Sequence, residues 1–209
     1  MFSSNNYIDK VDSAFIFIVG ISFLLLVIIT ALMIFFVFKY NAKKKIKAVN
    51  IEGNLKLEIV WTVIPVILVL LMFWYGWVGY ADLSNPPEGA MEVSVIGQMW
   101  KWNFEYPNGI KTDTLYVPVN QPVKLNLTSV DVSHSFFVPA FRFKQDVLPN
   151  RNNTIWFEPE EIGKFDIACA EYCGLQHAYM YSKVVVMSQD DYKNWEQIEL
   201  AKINNLLNK

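Results

Sequence analysis

Hydrophobic positions in this chain fall into two regimes. Near the N-terminus they are continuous: Ala14 to Phe38 is a run of 25 residues without a charge, and Ile59 to Ala81 is a second run of 23. A bilayer core takes ~20 apolar helical residues, so the pattern predicts two membrane-spanning helices, about 14–38 and 59–81. Pro65 inside the second would break a soluble helix, yet is tolerated in a membrane span. Trp74, Tyr75, Trp77 and Tyr80 cluster toward its end, where aromatic side chains favour the membrane–water interface. A cleavable signal peptide fits the first run poorly, because the run is too long for an apolar signal core and no small-residue cleavage pattern comes after it.

Beyond Asn85-Pro86-Pro87-Glu88-Gly89 the period shortens. Met91–Gln98, Trp100–Tyr106, Pro122–Thr128, Thr154–Glu158, Lys164–Ala168 and Tyr181–Met187 are rich in Val, Ile, Phe, Tyr and Trp and read as strands. Pro107-Asn108-Gly109 supplies a hairpin turn at the end of the second of these strands. This spacing predicts a β-sandwich or barrel. Ser188 with Asp191 then resembles a helix cap. The stripe Tyr192, Trp195, Ile198/Glu199, Ile203, Leu206/Leu207 predicts a terminal helix over about 189–207, packed on the domain or on a partner. The fold class is therefore a two-helix transmembrane hairpin (residues 1–81) followed by an all-β domain with a C-terminal helix (residues 82–209).

Charge changes the picture by fixing topology. Charged residues make up 18% of the chain, below the ~25% of ordinary soluble proteins, which excludes a disordered chain and a nucleic-acid binder living on a basic surface. The net charge of −2 hides a split. Residues 1–80 carry seven Lys against four Asp/Glu, and residues 81–209 carry eleven Lys/Arg against sixteen Asp/Glu. Lys39, Lys43, Lys44, Lys45, Lys47 and Lys56 crowd the loop between the spans, opposed by Glu52 and Glu58. Short Lys-rich loops stay on the cytoplasmic side, so residues 82–209 are expected on the far side of the bilayer.

The chemistry is concentrated. Both cysteines and one of the two histidines lie in Cys169-Ala170-Glu171-Tyr172-Cys173-Gly174-Leu175-Gln176-His177-Ala178-Tyr179-Met180, and the other histidine, His134, precedes them in Asp131-Val132-Ser133-His134. Thiolates with imidazoles and a thioether suit copper, and the second thiolate allows two coppers bridged by two sulfurs. The spacing leaves two alternatives open. One is a Cys169–Cys173 disulfide in an exported domain; the other is a tetrahedral Cys2His2 zinc site, which would leave Met180 unused.

This arrangement of His134, Cys169, Glu171, Cys173, His177 and Met180 resembles the dinuclear copper A signature of the cytochrome c oxidase subunit II family. The similarity also runs through the hairpin, Glu58-Ile59-Val60-Trp61-Thr62-Val63-Ile64-Pro65, Trp100-Lys101-Trp102-Asn103-Phe104-Glu105-Tyr106 and Lys144-Gln145-Asp146-Val147-Leu148-Pro149-Asn150-Arg151. The resemblance implies a cupredoxin-like outer domain in which Cys169 and Cys173 bridge two coppers, His134 and His177 bind one each, and Met180 and the Glu171 carbonyl are weak ligands. It further implies that electrons enter at Trp100 and that the Glu171 carboxylate helps hold a magnesium ion shared with subunit I. Glu58 would lie at the mouth of a proton channel. Asp131 and Glu105 would dock cytochrome c, and Asp146 and Arg151 would hold the interface with subunit I, which carries the haems.

Met99 and Lys101 depart from the family's commoner Gln-Trp-Tyr-Trp form, so the rim around Trp100 differs. The sequence holds no Cys-x-x-Cys-His haem motif. The donor is accordingly expected to be a separate cytochrome c or a haem c subunit of a supercomplex. Two rivals share parts of the pattern: the electron-accepting subunit of a copper A nitric oxide reductase, and a membrane-anchored copper-delivery protein. The Lys- and Asn-rich composition leans toward a bacterial inner membrane, with the outer domain in the periplasm, over the mitochondrial inner membrane.

Overall fold

The computed structural model describes residues 7–44, 47, 50 and 52–207; Lys45 of the inter-span loop lies outside them. The chain divides into two compact units, one within Asp9–Tyr80 and the other from Ala81 onward.

The first unit is a helix pair, α1 (Tyr7–Lys39) and α2 (Leu55–Ser84). Both helices run past the apolar stretches that predict them, because polar turns at their ends continue the hydrogen-bond ladder. Asn54 caps α2 by accepting the Leu57 amide on Oδ1 at 3.1 Å, one of the donors that a helix start otherwise leaves unpaired. Glu58 sits in the first turn of α2, where the helix dipole favours an acid. Pro65 is kept within the helix. Apolar side chains from Phe15 to Phe38 and from Leu57 to Tyr80 are exposed nearly all round, as expected of helices whose solvent is lipid. Phe17 stacks on Tyr75 with ring centroids 4.6 Å apart.

The second unit contains ten strands: β1 (Met91–Gln98), β2 (Lys101–Glu105), β3 (Lys111–Thr112), β4 (Leu115–Pro118), β5 (Val123–Ser129), β6 (His134–Val138), β7 (Phe143–Val147), β8 (Asn153–Phe157), β9 (Gly163–Cys169) and β10 (Tyr181–Met187). They form two five-stranded sheets, β3-β2-β1-β5-β8 and β4-β10-β9-β6-β7, making a sandwich. Strict alternation along β1 and β5 turns Val93, Val95, Val123, Leu125 and Leu127 inward, where they meet an aromatic core of Trp102, Phe104, Phe136, Phe143 and Phe157. Trp102 meets Phe136 edge-on, centroids 5.2 Å apart.

Four of these strands, β3, β4, β6 and β7, escape a reading by periodicity. The first two are too short to show a period. In β6 the inward and outward positions do not alternate: His134, Ser135 and Phe136 are all buried, since Ser135 is covered through its bond to Asp146 on β7, Oγ to Oδ1 at 2.9 Å.

The terminal helix, α3 (Gln189–Leu207), packs on this domain. Ser188 starts it, its Oγ accepting the Asp191 amide at 3.1 Å and donating to the Asp191 carboxylate at 2.7 Å. The face that packs inward carries Trp195, Leu200 and Ile203. It differs from the predicted stripe, for Ile198 and Leu206 are exposed. The reason is Trp195, which stacks on Tyr116 of β4 at 4.6 Å and sets the rotation of the helix.

β4 is an edge strand, and the outward backbone groups of Tyr116 are closed by Tyr106. The phenol oxygen of Tyr106 accepts the Tyr116 amide at 2.8 Å and donates to the Tyr116 carbonyl at 2.9 Å. Burial pushes this phenol well above its usual range. Tyr106→Phe leaves both backbone groups without their partner. It is expected to destabilise the outer domain by about 1–3 kcal/mol, read as a lower midpoint for denaturant unfolding of the detergent-solubilised chain with an unchanged slope. An unchanged midpoint would show that water replaces the hydroxyl at no cost.

Candidate metal centre

The donors come from two places that the sandwich brings together. β6 begins at His134, and β9 ends at Cys169; the two strands pair antiparallel, with Phe136 opposite Cys169. The connection from β9 to β10 carries everything else, and it is closed at its base by the Cys169 amide donating to the Met180 carbonyl at 3.1 Å. A 3-10 turn over His177–Tyr179 folds the distal part of this loop back, so that His177 and Met180 return toward Cys173.

Cys169 and Cys173 are free thiols with their sulfurs 3.8 Å apart. His134 Nδ1 lies 3.8 Å from Cys169 Sγ, and the Glu171 carbonyl accepts from that thiol at 3.3 Å. His177 Nδ1 lies 3.6 Å from Cys173 Sγ, and Met180 Sδ is 3.8 Å from it. The set thus has two halves, each with one imidazole and one weak donor, joined at a pair of sulfurs. Ligand atoms of His134, Cys169 and Cys173 lie within 4.8 Å of one another. One tetrahedral zinc would use four of these donors and strand the other two. Two copper ions sharing the sulfurs would use all six, so the residues present fit a dinuclear copper group.

Electrostatics agree with a site completed by cations. Burial, reinforced by the neighbouring Cys169, pushes the Cys173 thiol up to about 12. It therefore stays protonated at neutral pH until a cation offsets the charge. Asp131 behaves oppositely. Burial would raise it, but the Met99 amide, the His134 ring and the Val132 amide outweigh that and hold it at about 2. As a carboxylate it can only accept, so the 2.8 Å contact from His134 Nε2 places the ring proton there. Nδ1 is left free to ligate.

Trp100 lies in the two-residue turn between β1 and β2, where Gln98 pairs with Lys101. Its Nε1 donates to the Cys173 carbonyl at 3.3 Å. Gly174, at φ +117°, lies against the same indole, where a Cβ would fall 3.4 Å from Trp100 Nε1, in a conformation that a side chain would strain. The Glu171 side chain is exposed while its carbonyl faces the Cys169 sulfur. Asp131 is only 21% exposed and has both oxygens engaged, so it is not a free surface acid. Glu105 lies at the far end of β2 from Trp100, ion-paired with Lys111 at 2.7 Å. Asp146 sits one rung from His134 in the β6–β7 ladder, bonded to Ser135. Arg151 is exposed between β7 and β8, and Glu58 belongs to the helical unit.

Two further residues of the site are given no role by the family resemblance. Trp102 lies edge-on to the His134 ring, centroids 5.9 Å apart, with its Nε1 buried and unpartnered among the described residues. Gly97, on the opposite sheet, is where β1 passes under that ring: a Cβ there would fall 3.1 Å from His134 Cδ2 and 3.3 Å from Trp102. A lone glycine inside a strand pattern is a sign of such an approach.

Known proteins share both the anchor and the outer domain. Residues 3–76 match the transmembrane domain of cytochrome c oxidase subunit II, and residues 110–188 match its periplasmic domain. An alternative cytochrome c oxidase subunit 2 from Bradyrhizobium diazoefficiens is 32% identical over 90% of this chain and 79% of its own length. The chain belongs to the cytochrome c oxidase subunit II family. A probable cytochrome c oxidase subunit 2 from Rickettsia bellii is 29% identical over 86% of this chain and 75% of its own. The crystal structure of the periplasmic domain of subunit II of cytochrome oxidase from Bradyrhizobium japonicum superposes with a TM-score of 0.55 at 28% identity, covering 56% of this chain and 99% of that one. The outer domain therefore has the fold of the family's periplasmic domain, anchored by two apolar helices. All six donors lie within the periplasmic match, while Trp100 and Gly97 precede it.

Gly97→Ala is expected to push the His134 ring aside. Overpacking of this kind costs about 1–3 kcal/mol, so thermal unfolding of the metal-free chain should fall and copper retained per chain should drop. Full copper content with unchanged stability would mean that the ring has room to yield.

Proposed function

We propose that this chain is the electron-accepting subunit of a proton-pumping cytochrome c oxidase. It takes electrons from a c-type cytochrome outside the membrane and passes them to the haem of subunit I, where oxygen is reduced. The observation that carries this reading is the six-donor set in two halves about a pair of sulfurs 3.8 Å apart. A dinuclear copper group held there would supply a one-electron couple whose charge change is spread over both metals.

The protein's own residues do the rest. His134 on β6, with Cys169, Cys173, His177, Met180 and the Glu171 carbonyl of the β9–β10 connection, would hold the group, and the closed base of that loop keeps the ligands in place when the charge changes. Trp100 joins the surface to a ligand backbone through a single hydrogen bond to the Cys173 carbonyl, and we assign it as the point where electrons enter. The exposed Glu171 carboxylate is free to bind a magnesium ion together with subunit I, and Asp146 and Arg151 face that partner. Glu58, at the capped start of α2, serves the mouth of a proton channel from the lysine-rich side. The acid excess of residues 81–209 draws a cationic donor at long range, toward the periplasmic face of a bacterial inner membrane.

In the assembled, copper-loaded complex, EPR should show one unpaired electron split by two equivalent copper nuclei. A spectrum from one copper nucleus, or a chain that takes up zinc alone, would sink the reading. Trp100→Phe removes the indole donor and is expected to slow oxidation of external cytochrome c by roughly tenfold or more with the copper spectrum intact. Wild-type turnover in that variant would remove Trp100 from the electron path.

A further inference from the structure

We propose that Asp131 is a positioning residue which, with one carboxylate, fixes both the imidazole of His134 and the hairpin that carries Trp100. The proposal builds on the reading of the site as a copper centre with electrons entering at Trp100.

The geometry is specific. Asp131 Oδ1 accepts from His134 Nε2 at 2.8 Å and from the Val132 amide at 2.6 Å, with Ser129 Oγ at 3.3 Å. Oδ2 accepts from the Met99 amide at 2.7 Å. Met99 and Trp100 are the two residues of the β1–β2 turn, so that turn is held at two points. Its backbone is tied to Asp131, and its indole is tied to the Cys173 carbonyl. The loop presenting Asp131 is itself braced. The Val130 amide donates to the Gly97 carbonyl at 3.2 Å, and Ser129 Oγ accepts the Asp131 amide at 3.2 Å.

A surface acid that steers a donor needs a free, hydrated charge. Asp131 instead spends both oxygens inward and is mostly covered. His134 is fully buried, and its only ring nitrogen not directed at Cys169 is the one Asp131 holds. A hydrogen-bonding carboxylate behind a ligating histidine fixes the ring's orientation and tautomer. Here the same carboxylate also sets where the Trp100 turn sits, so the ligand and the point of electron acceptance are registered against each other by one side chain.

The test uses Asp131→Asn and Asp131→Glu in the assembled oxidase and in the metal-free full chain. Asn offers one acceptor, enough for His134 or Met99 but not both; Glu keeps the charge and moves it by a methylene. Both variants should alter the copper hyperfine pattern and lower kcat by roughly tenfold or more, while KM for cytochrome c and its salt dependence stay within about twofold. In the metal-free chain in detergent, hydrogen exchange at the Met99 amide should accelerate in the Glu variant, and in the Asn variant whenever its one acceptor stays with His134. Glu behaving as wild type, or Asn raising KM with kcat and spectrum unchanged, would make Asp131 a docking charge and overturn the proposal. Should the wild type show no two-copper signal, the copper reading fails separately, and Met99 exchange still decides whether Asp131 holds the turn: unchanged exchange in both variants would overturn the clamp.

Discussion

Two thiol sulfurs held 3.8 Å apart beside two imidazoles are an unfavourable arrangement without a cation. Burial and mutual proximity push the Cys173 thiol up to about 12, so the site favours protons until metal replaces them. A cluster of this kind needs a rigid frame, since loose ligands would relax away from one another. The sandwich supplies that frame from both sheets. One contributes His134 and the closed β9–β10 loop, while the other brings Gly97 and Trp102 against the back of the His134 ring. The aromatic core behind Trp102, from Phe136 to Phe157, keeps this wall from yielding.

The same chain meets two solvents, and each half is built for one. α1 and α2 present apolar side chains on all faces and satisfy their backbone internally, the condition for crossing lipid. The outer domain alternates, so its buried rows form a core and its exposed rows carry the acid excess. The segment between them contains Pro86, Pro87 and a turn at Gly89 with φ +79°, which ends helical geometry before β1 begins.

Much of this is legible in the chain because it is local. Apolar length marks the helices, and alternation marks β1, β5 and β10. The serine before Asp191 marks the start of α3. The ligand types are legible because thiols and imidazoles are scarce in this chain and nearly all occur in one loop. What stays hidden depends on contacts between distant segments. β6 cannot be read by period because Ser135 is buried through Asp146, eleven residues away. The exposed side of α3 departs from its apolar stripe because Trp195 chooses Tyr116, a residue no helical pattern could name. Asp131 resembles any surface acid until the Met99 turn and the His134 ring are seen closing on it from either side.

The sequence by itself determined the membrane anchor, the β-rich outer domain and the inventory of metal donors, since each depends on residue type and short-range spacing. Tertiary structure alone decided that the donors fall into two halves about the sulfur pair. It also decided that a glycine must lie under one imidazole, and that a carboxylate ties that imidazole to the Trp100 turn. The contacts of His134 with Cys169, of Gly97 with His134 and of Met99 with Asp131 join residues more than thirty positions apart, and only the pairing of β6 with β9 and the packing of one sheet on the other bring them together.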